Sequence, residues 1–160
     1  TVTIPVSCSA GESELSIAVT STDYGTMRSF EPSEIHAFDG YTAQITLLKA
    51  SSLRTYGELK LVFDTSIDAQ TRENIAGDYT EGLLAPKGHL DICAGEGEEI
   101  AYPTSMLWQD NGLICTISLE GNPRKTYPDA LVFYPRNCAS VFDGEGEWPS
   151  LSEKGAVELK

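Results

Sequence analysis

The segment that decides the fold spans residues 58–67 and reads ELKLVFDTSI. Two rows alternate along it, with Leu59, Leu61 and Phe63 in one row and Glu58, Lys60 and Val62 in the other. This period of two predicts a β-strand with one buried face. The polar run at residues 64–66 then predicts a turn, because its side chains can hydrogen-bond the backbone. The mixed row is either a solvated surface or a sheet face left open for a partner.

Length and composition predict a single globular domain over residues 1–160, long enough to bury its own core. Residues 1–28 are a candidate for an additional N-terminal hairpin on the main body. Hydrophobic residues make up 41% of the chain, which excludes a disordered acidic tail. No run approaches the roughly 20 apolar residues of a membrane span, and the start lacks the layout of a signal peptide. We therefore expect an excised domain whose targeting segment, if it had one, has been removed.

The charge balance is strongly acidic, with 24 acidic and 11 basic residues and a net charge of −13. Nucleic acids and anionic membranes are bound by basic patches, so this balance argues against both as partners. An acidic chain suits solubility and partners that are basic, neutral or calcium-bearing.

The four cysteines are Cys8, Cys93, Cys115 and Cys138. No two of them form a C-x-x-C pair, and the chain has only two histidines, so we do not expect a zinc site. In an oxidising compartment four cysteines allow three pairings, and the sequence leaves open whether any of them forms. Cys93 and Cys115 lie in apolar strand-like runs, where buried free thiols are common.

Strand-like runs separated by turn signals recur at intervals of about ten residues. They occupy residues 1–9, 14–21, 41–49, 58–63, 82–86, 89–94, 113–119, 130–134 and 156–159. Residues 23–33 are expected to form a loop, and Asp110-Asn111-Gly112 a strong turn. Residues 69–75 have a weakly helical composition before Gly77, which predicts at most one or two helical turns. Eight to ten short strands with little helix predict an all-β fold, an antiparallel β-sandwich.

The sequence contains no recognisable catalytic motif. There is no G-x-S-x-G segment, and neither His36 nor His89 has an evident partner for a catalytic triad. No pair among the 24 acidic residues is singled out by its spacing for glycoside hydrolysis. Residues 143–154 begin like a calcium loop, but Trp148 replaces the required glycine and Lys154 the final acid. We predict a non-enzymatic domain with no metal or cofactor of its own.

Three segments together resemble a cohesin, the receptor module of bacterial cellulosome scaffoldins. Residues 58–67 resemble the third strand of that family, an alternating run that ends in an aromatic residue and Asp before a polar turn. Residues 89–119, HLDICAGEGEEIAYPTSMLWQDNGLICTISL, are similar to its central strand, acidic loop, turn and long alternating strand. Residues 140–160, SVFDGEGEWPSLSEKGAVELK, are similar to its ending. The spacing of the three segments, all within residues 35–160, also matches the family.

Two features depart from the family pattern. Both residues 1–7 (TVTIPVS) and residues 41–49 (YTAQITLLK) qualify as the second strand, so one of these runs is additional. Four cysteines are also more than the family leads us to expect. The chain is therefore similar to a divergent cohesin with an extra N-terminal hairpin or an inserted segment.

The resemblance implies a nine-stranded, jelly-roll-like sandwich that binds a dockerin, a small calcium-loaded helical module of an enzyme or scaffold protein. It implies a bacterial extracellular protein, secreted or attached to the cell surface, that serves cellulosome assembly in polysaccharide degradation. Calcium is then expected in the dockerin and not in this chain, which would be a monomer when alone.

In the family, strands 8, 3, 6 and 5 form the face that binds the dockerin. The residues that the resemblance places there are Tyr56, Glu58, Lys60, Val62, His89, Asp91, Ile114, Thr116 and Ser118. Val62 and Ile114 would form the apolar centre, with Tyr56 as the main anchor. In residues 89–94 a shift of one position exchanges the inward and outward rows, so the parity of that strand stays open.

Two other non-catalytic functions remain open from the sequence. An extracellular immunoglobulin-like adhesin domain of a cell surface or pilus would match the short strands, with Lys60 and Asn137 as a candidate cross-link inside the core. A carbohydrate-binding module would use Trp148 and nearby tyrosines as stacking surfaces.

Overall fold

The computed structural model describes residues 2–8, 11–17, 27–51, 53–87, 99–121, 127–136 and 155–160. Eleven β-strands and one α-helix lie within these ranges. The strands are β1 (Val2–Cys8), β2 (Gly11–Ile17), β3 (Arg28–Phe30), β4 (His36–Phe38), β5 (Tyr41–Ala50), β6 (Thr55–Phe63), β7 (Leu83–Pro86), β8 (Tyr102–Gln109), β9 (Ile114–Gly121), β10 (Leu131–Tyr134) and β11 (Val157–Leu159). The helix is α1 (Ala69–Thr80), which connects β6 to β7. The predicted all-β fold is confirmed.

The larger sheet has six strands in the order β3-β5-β6-β9-β8, with β4 also paired to β5. All of its pairings are antiparallel. β6 is the central strand, because β5 pairs with one of its edges and β9 with the other. No further strand can join β6.

This strand order differs from the one that the resemblance implies. In a face ordered 8-3-6-5, residues 89–94 would lie beside the third strand, which here is β6. The structure places β5 there instead, because the short connection at residues 51–54 closes a hairpin between β5 and β6. Within that connection Ser51 N–H donates to the Arg54 carbonyl over 2.9 Å. Residues 89–94 themselves lie outside the described part of the chain.

The smaller sheet contains three antiparallel strands in the order β11-β10-β7. Its inner face packs against the inner face of the larger sheet. One buried cluster includes Leu59 and Leu61 of the larger sheet together with Leu84, Phe133 and Val157 of the smaller one. Burial of these apolar side chains between two sheets is the main force holding a sandwich together. The β-sandwich is thus confirmed, while the jelly-roll topology stays a prediction.

The smaller sheet is also covered on its other side. All four residues of β10 are buried, each at most 2% exposed. Val132 and Tyr134 belong to a second buried cluster with Ala85 and Ala156, separate from the main core. A strand buried on both faces reads as a continuous apolar run, which is the pattern predicted for residues 130–134.

β1 and β2 form the predicted N-terminal hairpin. They pair antiparallel along seven residues each, from Val2 opposite Ile17 to Cys8 opposite Gly11. The hairpin is a two-stranded sheet of its own. Its second strand begins at Gly11, earlier than the predicted run at residues 14–21, and residues 18–21 lie outside the described part of the chain.

Helix α1 is longer than predicted, with 12 residues that continue through Gly77. Asp68 caps its start by accepting hydrogen bonds from the Thr71 backbone N–H (3.0 Å) and hydroxyl (2.7 Å). Further along, Ala76 and Tyr79 are buried in the core. Core packing therefore overrides the low helix propensity of Gly77, which we had expected to stop the helix.

The hydroxyl of Tyr79 ties the end of α1 to the C-terminal strand. It donates a hydrogen bond to the Gly155 carbonyl, two residues before β11, and lies 3.3 Å from the Tyr41 hydroxyl. Gly155 has a φ of +78°, and a Cβ atom there would lie 2.8 Å from the Tyr79 hydroxyl. Only glycine suits this position, on both grounds.

Two β-bulges account for the strands in which the alternation of inward and outward residues is irregular. In β5 the register shifts between Ile45 and Leu47, and in β8 between Pro103 and Ser105. A bulge exchanges the inward and outward rows, so the simple alternation is lost. Opposite the first bulge, Gly57 is buried, and a Cβ there would lie 2.6 Å from the Leu47 carbonyl oxygen.

Candidate protein-binding face

The side chains of β6 alternate between core and solvent as predicted. Leu59, Leu61 and Phe63 are at most 4% exposed, whereas Val62 is 39% exposed. The same alternation runs along β9, where Cys115 is buried and Ile114 is half-buried. Seven of the nine predicted contact residues therefore share one face of the sheet: Tyr56, Glu58, Lys60, Val62, Ile114, Thr116 and Ser118. The other two, His89 and Asp91, lie outside the described residues.

The strand register arranges these side chains in rows across the sheet. Val62 lies opposite Ile114, Lys60 opposite Thr116, and Glu58 opposite Ser118. The flanking strands extend each row. We call this surface the outer face; it comprises Thr42, Gln44, Leu47 and Lys49 of β5, Tyr56, Glu58, Lys60 and Val62 of β6, Ile114, Thr116, Ser118 and Glu120 of β9, and Tyr102, Ser105, Leu107 and Gln109 of β8.

The contribution of β8 was not predicted. Leu107 is 57% exposed and lies opposite Thr116, next to Ile114. The usable signal was the turn at Asp110-Asn111-Gly112. A tight turn joins antiparallel neighbours, so residues before it must mirror those after it. Gln109 therefore faces Ile114 across the hairpin, and Leu107 follows on the same side.

One end of the outer face is apolar. Val62, Ile114 and Leu107 form what we call the apolar patch, with Val62 directly opposite Ile114 and Leu107 one row further along on β8. Side chains directly opposite on antiparallel strands are close enough to touch. Val62 and Leu107 lie on either side of β9, with Ile114 between them, and a cluster of exposed apolar side chains of this kind is typical of contact surfaces.

The other end of the outer face is aromatic and charged. The Tyr56 hydroxyl donates to the Met27 sulfur over 3.7 Å, and the Arg54 guanidinium lies 4.9 Å from the centre of the Tyr56 ring. Tyr56 lies opposite Lys49 of β5 on one side and opposite Glu120 of β9 on the other. These contacts hold the Tyr56 ring in position, which lowers the entropy cost of using it as an anchor.

The outer face is close to neutral although the molecule is not. It carries two basic residues, Lys49 and Lys60, and two acidic residues, Glu58 and Glu120. The whole chain has a net charge of −13. An acidic partner would therefore meet less repulsion on this face than elsewhere on the molecule.

The position of Lys60 bears on the adhesin alternative. A cross-link inside the core would require its side chain to face inward. The structure places Lys60 on the outer face, in the same row as Gln44 and Thr116. Lys60 is therefore not the core lysine that we had considered, and Asn137 lies outside the described residues. Trp148, the residue considered for carbohydrate binding, also lies outside them.

Cys115 lies on the core side of β9, directly behind the outer face. It is a buried free thiol, and burial raises its pKa to about 11. The thiol therefore stays protonated and shielded from reagents at neutral pH. Cys93 and Cys138 lie outside the described ranges, and only the backbone of Cys8 is described, so the pairing of these three stays open.

The described residues show neither a cluster that could hold a metal ion nor a membrane-spanning helix. No group of three or more His, Cys, Asp or Glu side chains in the described ranges is arranged to hold a metal ion. No helix in that part of the chain has the length and apolar character needed to cross a membrane. No family model, curated protein or solved structure matches this chain.

Proposed function

We propose that this chain is a non-catalytic protein–protein interaction module that binds its partner through the outer face. The observation that carries this proposal is the exposure of Val62 and Leu107 on the outer side of the larger sheet, whose inner side forms the core along β6 and β9. A sheet that only covers a core tends to present polar side chains to water. An apolar patch within a polar surround has instead the composition of a contact surface.

We infer that the partner is a dockerin, on the basis of the cohesin resemblance in residues 58–67, 89–119 and 140–160. A small helical module would lie across the strands with one apolar stripe on the apolar patch. The module would serve cellulosome assembly outside the cell, for polysaccharide degradation. The calcium would belong to the dockerin, and this chain would contribute side chains alone.

The geometry also allows a size estimate for the interface. A stable, specific complex buries about 1,200–2,000 Å² in total, half of it on each partner. The outer face spans four strands and four rows of side chains. With strands about 4.8 Å apart and rows about 6.8 Å apart, its flat projection is about 500 Å², close to the lower end of one partner's share. The apolar patch would supply the apolar contacts at one end of the interface, and Tyr56, Glu58, Lys60 and Thr116 the polar and aromatic contacts toward the other end.

The test is a binding measurement between the purified domain and a panel of purified dockerins, with and without EDTA. We expect one or more dockerins to bind in calcium and to be released by EDTA, because removing calcium unfolds a dockerin. Val62→Asp and Leu107→Asp should each weaken binding by at least about 100-fold, since each buries an unpaired charge within the interface.

A matched control is Met106→Asp. Met106 is 44% exposed and lies opposite the buried Ile117, on the other side of β8 from Leu107 and the outer face. It should bind like the parent protein. The proposed binding face is wrong if folded Val62→Asp and Leu107→Asp proteins bind as tightly as the parent. The dockerin assignment is wrong if no member of the panel binds in a calcium-dependent way.

A further inference from the structure

A small cleft opens between the start of α1 and the turn that joins β8 to β9. Its volume is about 150 Å³, and its lining residues are Ala69, Arg72, Glu73, Trp108, Asn111 and Gly112. Trp108 lies opposite the buried Cys115, on the inner side of β8, while Leu107 points to the outer face. The cleft is therefore separate from the outer face, and both surfaces can be used at once.

The walls of the cleft are held by specific contacts. Arg72 Nη1 donates to the Gly112 carbonyl over 2.9 Å and so fastens the turn to the helix. Trp108 packs against Phe63 of the central strand, with ring centres 5.8 Å apart. Asp110, Asn111 and Gly112 all have left-handed backbone conformations, with φ of 48°, 52° and 79°. The cleft is therefore preformed, which lowers the conformational entropy cost of binding a ligand.

Several polar groups at the cleft are available to a ligand. Glu73 and Asn111 are exposed, and among the described residues neither side chain has a hydrogen-bond or ion-pair partner. The carboxylate of Glu73 accepts hydrogen bonds, the amide of Asn111 both donates and accepts, and the guanidinium of Arg72 donates. Trp108 adds an aromatic ring. The cleft thus combines donors, acceptors and one flat apolar surface.

This combination discriminates between kinds of ligand. An anion would be attracted by Arg72 but repelled by Glu73, and a cation would meet the reverse. A neutral ligand rich in hydroxyl groups can use both residues, since each hydroxyl donates one hydrogen bond and accepts others. At about 150 Å³ the cleft is also smaller than the roughly 300–1,000 Å³ of sites for drug-sized ligands. Its volume suits a single ring.

We propose that this cleft binds one neutral pyranose unit of a carbohydrate. The C–H face of the sugar ring would lie on Trp108, and its hydroxyl groups would bond Glu73, Asn111 and Arg72. A site of this size makes few contacts, so we expect dissociation constants of about 1 mM for a monosaccharide, with tighter binding for oligomers whose neighbouring units touch the rim. This proposal does not depend on the outer face or on the identity of its partner.

The test is an NMR titration that follows the indole N–H signals of the two tryptophans. Trp108→Phe and Trp148→Phe assign the signals. The probes are cellotetraose, xylotetraose and mannotetraose as neutral chains, with tetragalacturonate and a chitosan tetramer as anionic and cationic chains. We expect at least one neutral chain to shift the Trp108 signal in a saturable way below about 20 mM, and the charged chains to bind more weakly.

Variants locate the binding in the cleft. Glu73→Ala and Asn111→Gly remove exposed side chains and should each weaken binding at least fivefold without loss of fold; glycine is used at position 111 because its backbone is left-handed. Asn74→Ala is the matched control, because Asn74 is exposed on α1 but does not line the cleft. Trp108→Ala should abolish binding, with circular dichroism to check the fold because Trp108 packs on Phe63.

The outcomes separate this proposal from the proposed function. Val62→Asp should keep full carbohydrate binding, since Val62 belongs to the outer face. The proposal is overturned if no neutral chain binds, if only charged chains bind, or if Glu73→Ala and Asn111→Gly both bind like the parent protein.

Discussion

The two sheets of the sandwich share a core, but they differ in whether their other face is exposed to solvent. In the larger sheet, β6 and β9 bury every second side chain and present the others to solvent. In the smaller sheet, β10 buries all four of its residues. The strands of the two sheets therefore have different roles: β10 only holds the fold, whereas β6 and β9 hold the fold with one row of side chains and offer the other row to a partner.

Because of this difference, substitutions in β10 are expected to change stability, and substitutions in the outward row of β6 are expected to change binding. Residues of β10 have no surface to offer, so their substitution acts through folding alone. Outward residues of β6 add little to the core, so their substitution should act on binding alone. The variants below test this separation, beginning with the largest expected effect.

Val132→Asp should prevent folding. Val132 is fully buried in the cluster behind the smaller sheet, and a carboxylate there would have no water. We expect a loss of more than about 4 kcal/mol in the free energy of unfolding, because a buried unpaired charge is among the most costly substitutions. Urea denaturation followed by circular dichroism measures this. A cooperative transition near that of the parent protein would show that the back of the smaller sheet is open to solvent.

Tyr79→Phe should destabilise the attachment of the smaller sheet by about 1–2 kcal/mol. The substitution removes the hydroxyl that bonds the Gly155 carbonyl just before β11 and leaves that carbonyl buried with one partner fewer. Hydrogen exchange of β11 should accelerate more than that of β6, because β11 is the strand next to the lost bond. Equal acceleration in both strands would show that the two sheets open together.

Val62→Asp makes the same substitution as Val132→Asp, but on the larger sheet. Val62 is 39% exposed, so we expect the free energy of unfolding to change by less than about 1 kcal/mol. Urea denaturation measured beside Val132→Asp makes the two sheets directly comparable. Loss of the fold in Val62→Asp would mean that this side chain belongs to the core, and that the outer face is not a free surface.

Asp68→Ala should have the smallest effect and should depend on pH. The hydroxyl of Thr71, followed by its backbone N–H, holds the pKa of Asp68 below its ordinary value. A depressed pKa means that the carboxylate stabilises the folded state above its unfolded-state pKa and loses this role as pH falls through the folded-state pKa. The parent protein should therefore unfold at a slightly higher temperature than the variant at pH 7, with the difference vanishing in acid. A difference that persists in acid would mean that the cap does not depend on the charge.

The strands that the sequence predicted best are those whose two rows are chemically distinct. In β6 the inward leucines and Phe63 alternate with Glu58, Lys60 and Val62, and the parity was correct. In β9 the alternation of Cys115, Ile117 and Leu119 with half-buried neighbours was also correct. One buried row in each strand is enough to specify which side faces the core.

The rest could not be predicted because tertiary contacts override the local pattern. β8 contains Pro103 and a bulge, so its apolar residues have no regular period, and Leu107 was missed as a contact residue. α1 extends through Gly77 only because Ala76 and Tyr79 have a core to enter. β3 lies within the predicted loop at residues 23–33 and has three residues, too few to show a period. The neighbours of β6 depend on which strands pair with it, and the sequence of β6 alone does not specify those partners.

The central position of β6 has a kinetic consequence for recognition. Its backbone is hydrogen-bonded along both edges, so its amides can open only when the larger sheet itself comes apart. The backbone that carries Tyr56, Glu58, Lys60 and Val62 is therefore fixed by pairing on both sides, as is that of β9. A partner that binds these residues restricts the motion of their side chains but does not have to order their backbone. We therefore expect association to proceed as a rigid-body encounter. Differences in affinity between partners should then arise mainly from their dissociation rates.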